Sequence, residues 1–547
     1  MSKIKIFALG GLNEIGKNMY CVEVDKDLFI FDAGLKYSSD NMLGVDYIIP
    51  NYDYIKDNKK RIKGLFISHG HDEQMGAIAD IMVDLPNIPI YATPFTLEII
   101  KRELEEENLK SDNLHQIEAH HKISFGKCSI FPIAVTHSVP DAVAYALYTP
   151  DGVIFYTGNY IFDPTMTNHY KTDVGKIAYV GKQGVLCLLG ESIYADKSGY
   201  TSPNHRISDI VNEVINKADG RILFNVFQTQ LFRIQELLNE VKNTDRKVII
   251  MGKTLEKTIL KSIAMGYIDF DLKRIVDIHN ATDPNTVIII SDEREKPFSN
   301  LTRIVKGYDR FVKLNETDTI LLASRVYDGM EKSAAHMYDE IAKTDANMII
   351  ISNKKLSHHA SSEDILLMLD LVNPKYYMPV AGEYRHLVMN ADLARKKGIP
   401  EENILVKLNG QVVTFNNGVL ADTEEKVKTD SILIDGKTIG DIGEAVIKDR
   451  EILGESGVVV VIATIDKQTK DIVAGPEILT RGFIYVKDST EMIKESIRIS
   501  SEIIAENRKN NYIDYTKVKN GIRDRLGKYF YQETECRPMI LVVMQEI

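Results

Sequence analysis

An apolar run that stops in a pair of histidines constrains this chain most: Leu65-Phe66-Ile67-Ser68-His69-Gly70-His71, followed at once by Asp72-Glu73-Gln74. A run of this kind reads as a buried strand whose following loop presents side chains into a cleft. Imidazole is the commonest protein metal ligand, and carboxylates behind it complete or orient a site. The same residues also suit a polar turn capping the strand. Two more apolar runs end in the same way: Val135-Thr136 leads into His137, and Phe155-Tyr156-Thr157-Gly158 leads into Asn159. His69, His71, His137 and Asn159 are therefore expected at strand ends, where one edge of a sheet can gather them. Asp32 follows Leu28-Phe29-Ile30-Phe31 and precedes Ala33-Gly34, as a turn former or as a functional acid.

A chain of 547 residues is too long for one core, so two to four domains are expected. Residues 1–150 alternate short strands with a few helices, the pattern of an α/β or α+β sandwich. From about 200 to 355, helical stretches at 207–218, 231–241 and 255–263 alternate with strands at 247–251, 286–290 and 319–323. They read as a parallel sheet inserted in the first domain. Ser357 precedes an apolar helix at 363–372, where it suits either a phosphate site at the helix N-terminus or an ordinary serine cap. The charged, turn-rich stretch 420–435 reads as a linker, and the last hundred residues as a small α+β appendage.

A net charge of −11 argues against indiscriminate binding to a polyanion, though not against a local basic channel. The run Lys56-Asp57-Asn58-Lys59-Lys60-Arg61-Ile62-Lys63 reads as a solvated turn in preference to an RNA groove. No apolar span is long enough for a membrane, and Met1–Phe7 enters a strand pattern without a signal-peptide core, so the cytoplasm is the expected compartment. The four scattered cysteines, Cys21, Cys128, Cys187 and Cys536, read as small buried hydrophobes.

Several motifs in order carry a resemblance. They are Leu9-Gly10-Gly11-Leu12-Asn13-Glu14-Ile15-Gly16-Lys17-Asn18, Asp32-Ala33-Gly34, Ser68-His69-Gly70-His71, His137-Ser138-Val139-Pro140-Asp141, Thr157-Gly158-Asn159 and Gly190-Glu191-Ser192. Pro379-Val380-Ala381-Gly382-Glu383-Tyr384-Arg385, Val473-Ala474-Gly475-Pro476-Glu477-Ile478 and Arg481-Gly482-Phe483-Ile484-Tyr485-Val486 follow. Together they resemble the ribonuclease J family of metallo-β-lactamase/β-CASP nucleases. The resemblance implies an αββα sandwich (1–202 and 356–420) split by a β-CASP α/β domain (203–355). A linker (421–445) and a small α+β C-terminal domain (446–547) complete the implied architecture. It also implies a two-metal phosphodiesterase of RNA processing and decay, acting on single-stranded RNA from the 5′ end and internally.

The chain departs from that pattern at one place. Active members carry His-x-His-x-Asp-His; here the positions hold His69, His71, Glu73 and Gln74. The bridging aspartate falls on Asn159, and the last metal histidine falls on Ala381. The glycine-rich phosphate turn reads Ser357-His358-His359-Ala360, and another family loop reads Asp292-Glu293-Arg294-Glu295-Lys296-Pro297. Three imidazoles and water make a workable zinc or manganese shell, whereas an amide and an alanine leave a second cation without compensation. A mononuclear site on His69, His71 and His137 or an empty one is expected, and a two-metal centre is not. Glu73 and Asn159 stand at degenerate catalytic positions, and Gln74 and Ala381 at lost ligand positions. Glu73 and Gln74 also suit simple helix capping. Asp32 would orient a histidine, while Glu191, Ser357 and His359 would contact substrate. The remaining histidines read as surface or packing residues. The expected role is a weakly active or inactive RNA-binding subunit, a homodimer or hetero-oligomer with an active paralogue. The alternative is an autonomous one-ion ribonuclease of reduced rate.

Overall fold

The computed structural model describes residues 2–38, 42, 44–291, 298–326, 330–421, 424–436, 438–439, 444–484, 490–509 and 512–547. The loop 292–297 and residues 485–486, which carry part of the resemblance, lie outside them. The chain divides into two compact units, residues 1–39 with 46–436 and residues 40–45 with 437–547.

Two sheets form the heart of the first unit. The larger has the spatial order Val419–Ala421, Val413–Asn416, Lys3–Gly10, Met19–Val24, Asp27–Phe31, Ile62–Phe66, Ile90–Ala92, Leu114–Gln116. The second runs Tyr376–Val380, Val185–Glu191, Gly152–Tyr156, Val143–Thr149, Cys128–Ala134, Ile123–Phe125. Alternation along Lys3–Gly10 explains the layering. Ile4 and Ile6 join Phe29, Phe66, Tyr145, Ile154, Leu189 and Met378 between the sheets. Phe7 and Leu9 face the other way, into a core with Ile55, Ile81 and Ile100 from helices. Helices 174–182, 362–372 and 384–397 cover the outer face of the second sheet through Ile177, Ile365, Met368 and Leu393. Each fully buried aliphatic or aromatic side chain in these layers contributes about 1.5–3 kcal/mol.

The sandwich is interrupted between residues 191 and 376 by a parallel five-stranded sheet of spatial order Lys247–Met251, Thr286–Ile290, Ile222–Asn225, Thr319–Leu322, Asn347–Ile350. After it the chain returns to complete both older sheets. Tyr376–Val380 lies parallel to Val185–Glu191, and Val413–Asn416 antiparallel to Lys3–Gly10. The expected layered α/β architecture with an inserted parallel sheet is therefore the one observed.

Three expectations need correction. Within the stretch read as a linker, Ser431–Asp435 is a strand paired antiparallel with Tyr47–Pro50, because Ile432 and Ile434 find apolar partners on the first unit. The serine cap of the helix Ser362–Val372 is Ser361, in a capping box with Asp364, and Ser357 lies upstream. Cys536 is exposed, unlike Cys21, Cys128 and Cys187.

The second unit pairs Ile472–Arg481, Val458–Ile465 and Met539–Glu546 in one sheet, with helices Thr490–Glu506 and Tyr515–Thr534. Val459, Val461, Ala463 and Ile465 pack with Ile499, Ile503, Val518, Ile522 and Leu526. On the alternate face Val460 stands in register with Leu479 and Leu541, and Ile462 with Val543; Leu479, Leu541 and Val543 are exposed. No helix among the described residues is long and apolar enough to cross a membrane.

Candidate metal centre

Strand register brings the predicted residues to one edge. Asp27–Phe31 and Ile62–Phe66 run parallel with Phe31 opposite Phe66, so Asp32 and Ser68 leave their strands side by side. In the second sheet Tyr156 pairs with Leu189 and Glu191 with Val380, which places Asn159, Glu191 and Ala381 just past or at the carboxyl ends of three parallel strands. Open sheets commonly bind ligands at such ends. Two hydrogen bonds tie the sheets together there: Val143 N–H to the Ser68 carbonyl (2.9 Å) and the Tyr145 hydroxyl to the Ile67 carbonyl (2.7 Å).

His69, His71 and His137 converge. One ligand nitrogen from each lies within 4.8 Å of the others, and all three residues are buried. The rings meet edge to face with centroids 4.5–4.9 Å apart. Their hydrogen-bond partners select the nitrogens left for an ion. His137 Nδ1 donates to the His358 carbonyl at 3.0 Å, so Nε2 carries the lone pair. His71 Nε2 faces the Ser138 hydroxyl at 3.1 Å, and its Nδ1 lies 3.2 Å from His137 Nε2. Asp32 accepts the Ser68 N–H (2.7 Å), the Ser68 hydroxyl (2.8 Å) and the Tyr156 hydroxyl (2.6 Å). With its proton committed to Asp32, the Ser68 oxygen accepts His69 Nδ1–H at 3.0 Å. His69 Nε2 is then a buried lone pair with no hydrogen-bond partner. An orphaned acceptor beside two further imidazoles is a donor set that suits a metal ion. Asp32 thus acts on His69 through Ser68.

Electrostatics agree. Burial holds His69 and His137 well below the ordinary imidazole range, helped by neighbouring histidines, so both are in the ligand form at neutral pH. Burial pushes the Asp32 carboxyl up to about 7, against the opposing hydrogen bonds from Tyr156 and Ser68.

The other half of the centre is different. Glu73 and Gln74 lie in the short helix Asp72–Met75, and Glu73 is outside the ligand cluster. The Glu73 carbonyl accepts the Asn18 N–H (3.2 Å) and side-chain amide (2.9 Å). Gly34 presses so close that a Cβ there would lie 1.7 Å from the Glu73 carbonyl oxygen. Gln74 turns inward, and neither amide atom has a hydrogen-bond partner, so the capping reading of Gln74 fails. Asn159 and Ala381 are buried, and Ala381 sits in the left-handed region at φ 54°. Amide and methyl groups here do not fit a second cation.

The residues expected to contact substrate gather beside the histidines. His359 Nδ1 contacts Glu191 Oε1, and its ring centroid lies 5.8 Å from that of His137. Burial raises the Glu191 carboxyl well above its usual range, while backbone N–H groups of Tyr160 and Ala360 oppose the rise. Ser357 is fully buried and accepts the His359 N–H at 3.3 Å. Sequence reasoning missed the supporting Ser68, Ser138 and Tyr156. The two serines adjoin ligand histidines in sequence and were findable, whereas Tyr156 needed the sheet register. His205, read as an ordinary histidine, is fully buried with Nε2 3.1 Å from Asp163 and its ring 5.0 Å from His358.

Comparison with known proteins agrees with this geometry. Residues 219–341 match the model of the ribonuclease J β-CASP domain, residues 346–406 that of a Zn-dependent metallo-hydrolase RNA specificity domain, and residues 445–547 that of the ribonuclease J C-terminal domain. The chain is 34% identical to Ribonuclease J 2 of Staphylococcus epidermidis and 33% identical to Ribonuclease J 2 of Staphylococcus aureus; each match covers all of this chain and 98% of the relative. A crystal structure of a protein of unknown function from Enterococcus faecalis V583 shares the fold, with TM-score 0.53 and 14% identity over 76% of this chain and all of that one. Full-length identity at this level, with three domain models in order, establishes that the chain belongs to the ribonuclease J family.

Proposed function

We propose that this chain is an RNA-binding subunit of RNA processing and decay, serving mRNA turnover and rRNA maturation in the cytoplasm. It hydrolyses RNA weakly or not at all alone, and assembles as a homodimer and with an active paralogue. The observation that carries this reading is the asymmetry of the centre. His69, His71 and His137 keep their donors and their hydrogen-bonded backing. Of Glu73, Gln74, Asn159 and Ala381, which stand at the family's remaining ligand positions, only Glu73 can carry charge, which leaves a second cation poorly compensated. One zinc or manganese ion would polarise a phosphate oxygen and acidify a bound water, but a two-ion clamp on both attacking and leaving oxygens is lost. Ser357, His359 and Glu191 position the RNA. The exposed apolar row Leu479–Val460–Leu541 on the C-terminal sheet supports an assembly role, since exposed apolar patches mark interaction surfaces.

The test is turnover of 5′-monophosphorylated single-stranded RNA in manganese by the purified chain and by a His69→Ala/His71→Ala variant, with bound metal measured on the same samples. Little or no turnover in either, with about one ion on the natural chain and RNA binding retained, is expected. Robust turnover that vanishes in the variant overturns the subunit reading. It would establish the second reading, an autonomous one-ion ribonuclease, which the complete Asp32–Ser68–His69 backing favours.

A further inference from the structure

The inserted domain reaches the surroundings of the histidine centre through a cation. Arg325 lies in the segment after the strand Thr319–Leu322, at that strand's carboxyl end, and is half-buried. Its guanidinium sits over the ring of Tyr194, 5.3 Å from the centroid. Tyr194 in turn lies 5.8 Å from His359, centroid to centroid, and His359 touches both His137 and the buried Glu191. A guanidinium stacked on an aromatic ring is oriented in advance, and its planar fork matches phosphate oxygens. Arg233 is wholly buried, paired with Glu236 at 2.7 Å and bonded to the carbonyls of His205 and Lys355, so it braces the protein interior.

We propose that Arg325, braced on Tyr194 beside the His359–Glu191 pair, contacts a backbone phosphate of single-stranded RNA at the edge of the centre. It supplies from the insert a fixed positive charge of the kind a second cation would bring. This rests on the RNA-binding reading above and names a residue of that site.

The test is fluorescence anisotropy of a labelled single-stranded 5′-monophosphorylated oligoribonucleotide with the full chain in EDTA, across a salt series, so that hydrolysis plays no part. Arg325→Met keeps an unbranched stem on Tyr194 and removes the charge, and Arg325→Lys restores charge without the fork. Lys197→Met removes the other cation over the same ring, 5.9 Å from its centroid. Arg325→Met is expected to weaken binding about tenfold and to lower the slope of log affinity against log salt by about 0.7, the value for one single-strand phosphate. Arg325→Lys should recover the slope and part of the affinity, and Lys197→Met should have a smaller effect. Unchanged affinity and slope in Arg325→Met overturn the proposal and leave the RNA-binding reading standing. So do equal losses in Arg325→Met and Lys197→Met, which would reduce the effect to general electrostatics. A natural chain that binds no RNA overturns both.

Discussion

The two halves of the centre stand on the same sheet edges, yet they differ in chemistry. Around His69, His71 and His137 every orienting group is in place: a hydroxyl, a carbonyl and a second hydroxyl each hold one ring. Around Glu73 and Gln74 the backbone is held by Asn18, Ala33 and the close approach of Gly34, and the Ala381 carbonyl accepts the Ser192 N–H at 3.2 Å, but the side chains of Glu73, Gln74, Asn159 and Ala381 do not join the histidine cluster. Ligand chemistry and backbone scaffold are therefore separable here. Gln74 is the clearest case: a buried amide with no hydrogen-bond partner stands where the resemblance implies a histidine.

If the scaffold survives, ligands can be put back. The variant Glu73→Asp/Gln74→His/Asn159→Asp/Ala381→His should bind two ions per chain by elemental analysis and raise RNA turnover by about 10² or more, worth several kcal/mol of charge stabilisation at the transition state. Position 381 already adopts φ 54°, so histidine meets much the same backbone cost as alanine. A stoichiometry still near one would break the comparison and place the loss in the scaffold. A somewhat smaller effect follows from the intact half. An ion at a hundred times its dissociation constant stabilises the folded chain by about 2.7 kcal/mol. Zinc or manganese should therefore raise the melting temperature over EDTA, and His69→Ala/His137→Ala should abolish that rise. Ser68→Ala comes next. It strips one partner from Asp32 and one from His69, so metal affinity should fall by about 10- to 100-fold in a competitive chelator titration. Unchanged affinity would mean that Asp32 and Ser68 serve folding alone.

Much of this asymmetry could be read before any coordinates. His69, His71 and His137 stood out because each follows an apolar run, and strand ends in one sandwich must lie along its edges. The family resemblance supplied an expectation for the rest of the layout, including the positions at which this chain departs from the motif. Support for the ligands was less visible. Tyr156 donates to Asp32 across 124 positions of sequence, and no local pattern announces a contact made by strand register. The strand Ser431–Asp435 hid inside a charged stretch because its two inward residues, Ile432 and Ile434, alternate over too short a span to outweigh the charges around them. The cap reading of Ser357, one of the two it allowed, fails for a related reason. Ser361 stands four residues later, and only the capping box with Asp364 distinguishes the two.

The smallest predicted effect bears most directly on what the altered half now does. An amide buried without partners costs about 1–3 kcal/mol. Methionine has nearly the length of glutamine, packs adaptably and needs no hydrogen bond. If Gln74 is a relic, Gln74→Met should stabilise the first unit by about 1 kcal/mol in denaturant unfolding, with metal content and RNA affinity unchanged. If instead the amide receives a phosphate oxygen or an ordered water when RNA is bound, the same variant should stabilise the free chain and weaken RNA binding. Destabilisation of the free chain would mean that a resident polar partner already satisfies Gln74. These outcomes separate a half-centre that has merely decayed from one whose emptied cation position has become a polar contact for RNA.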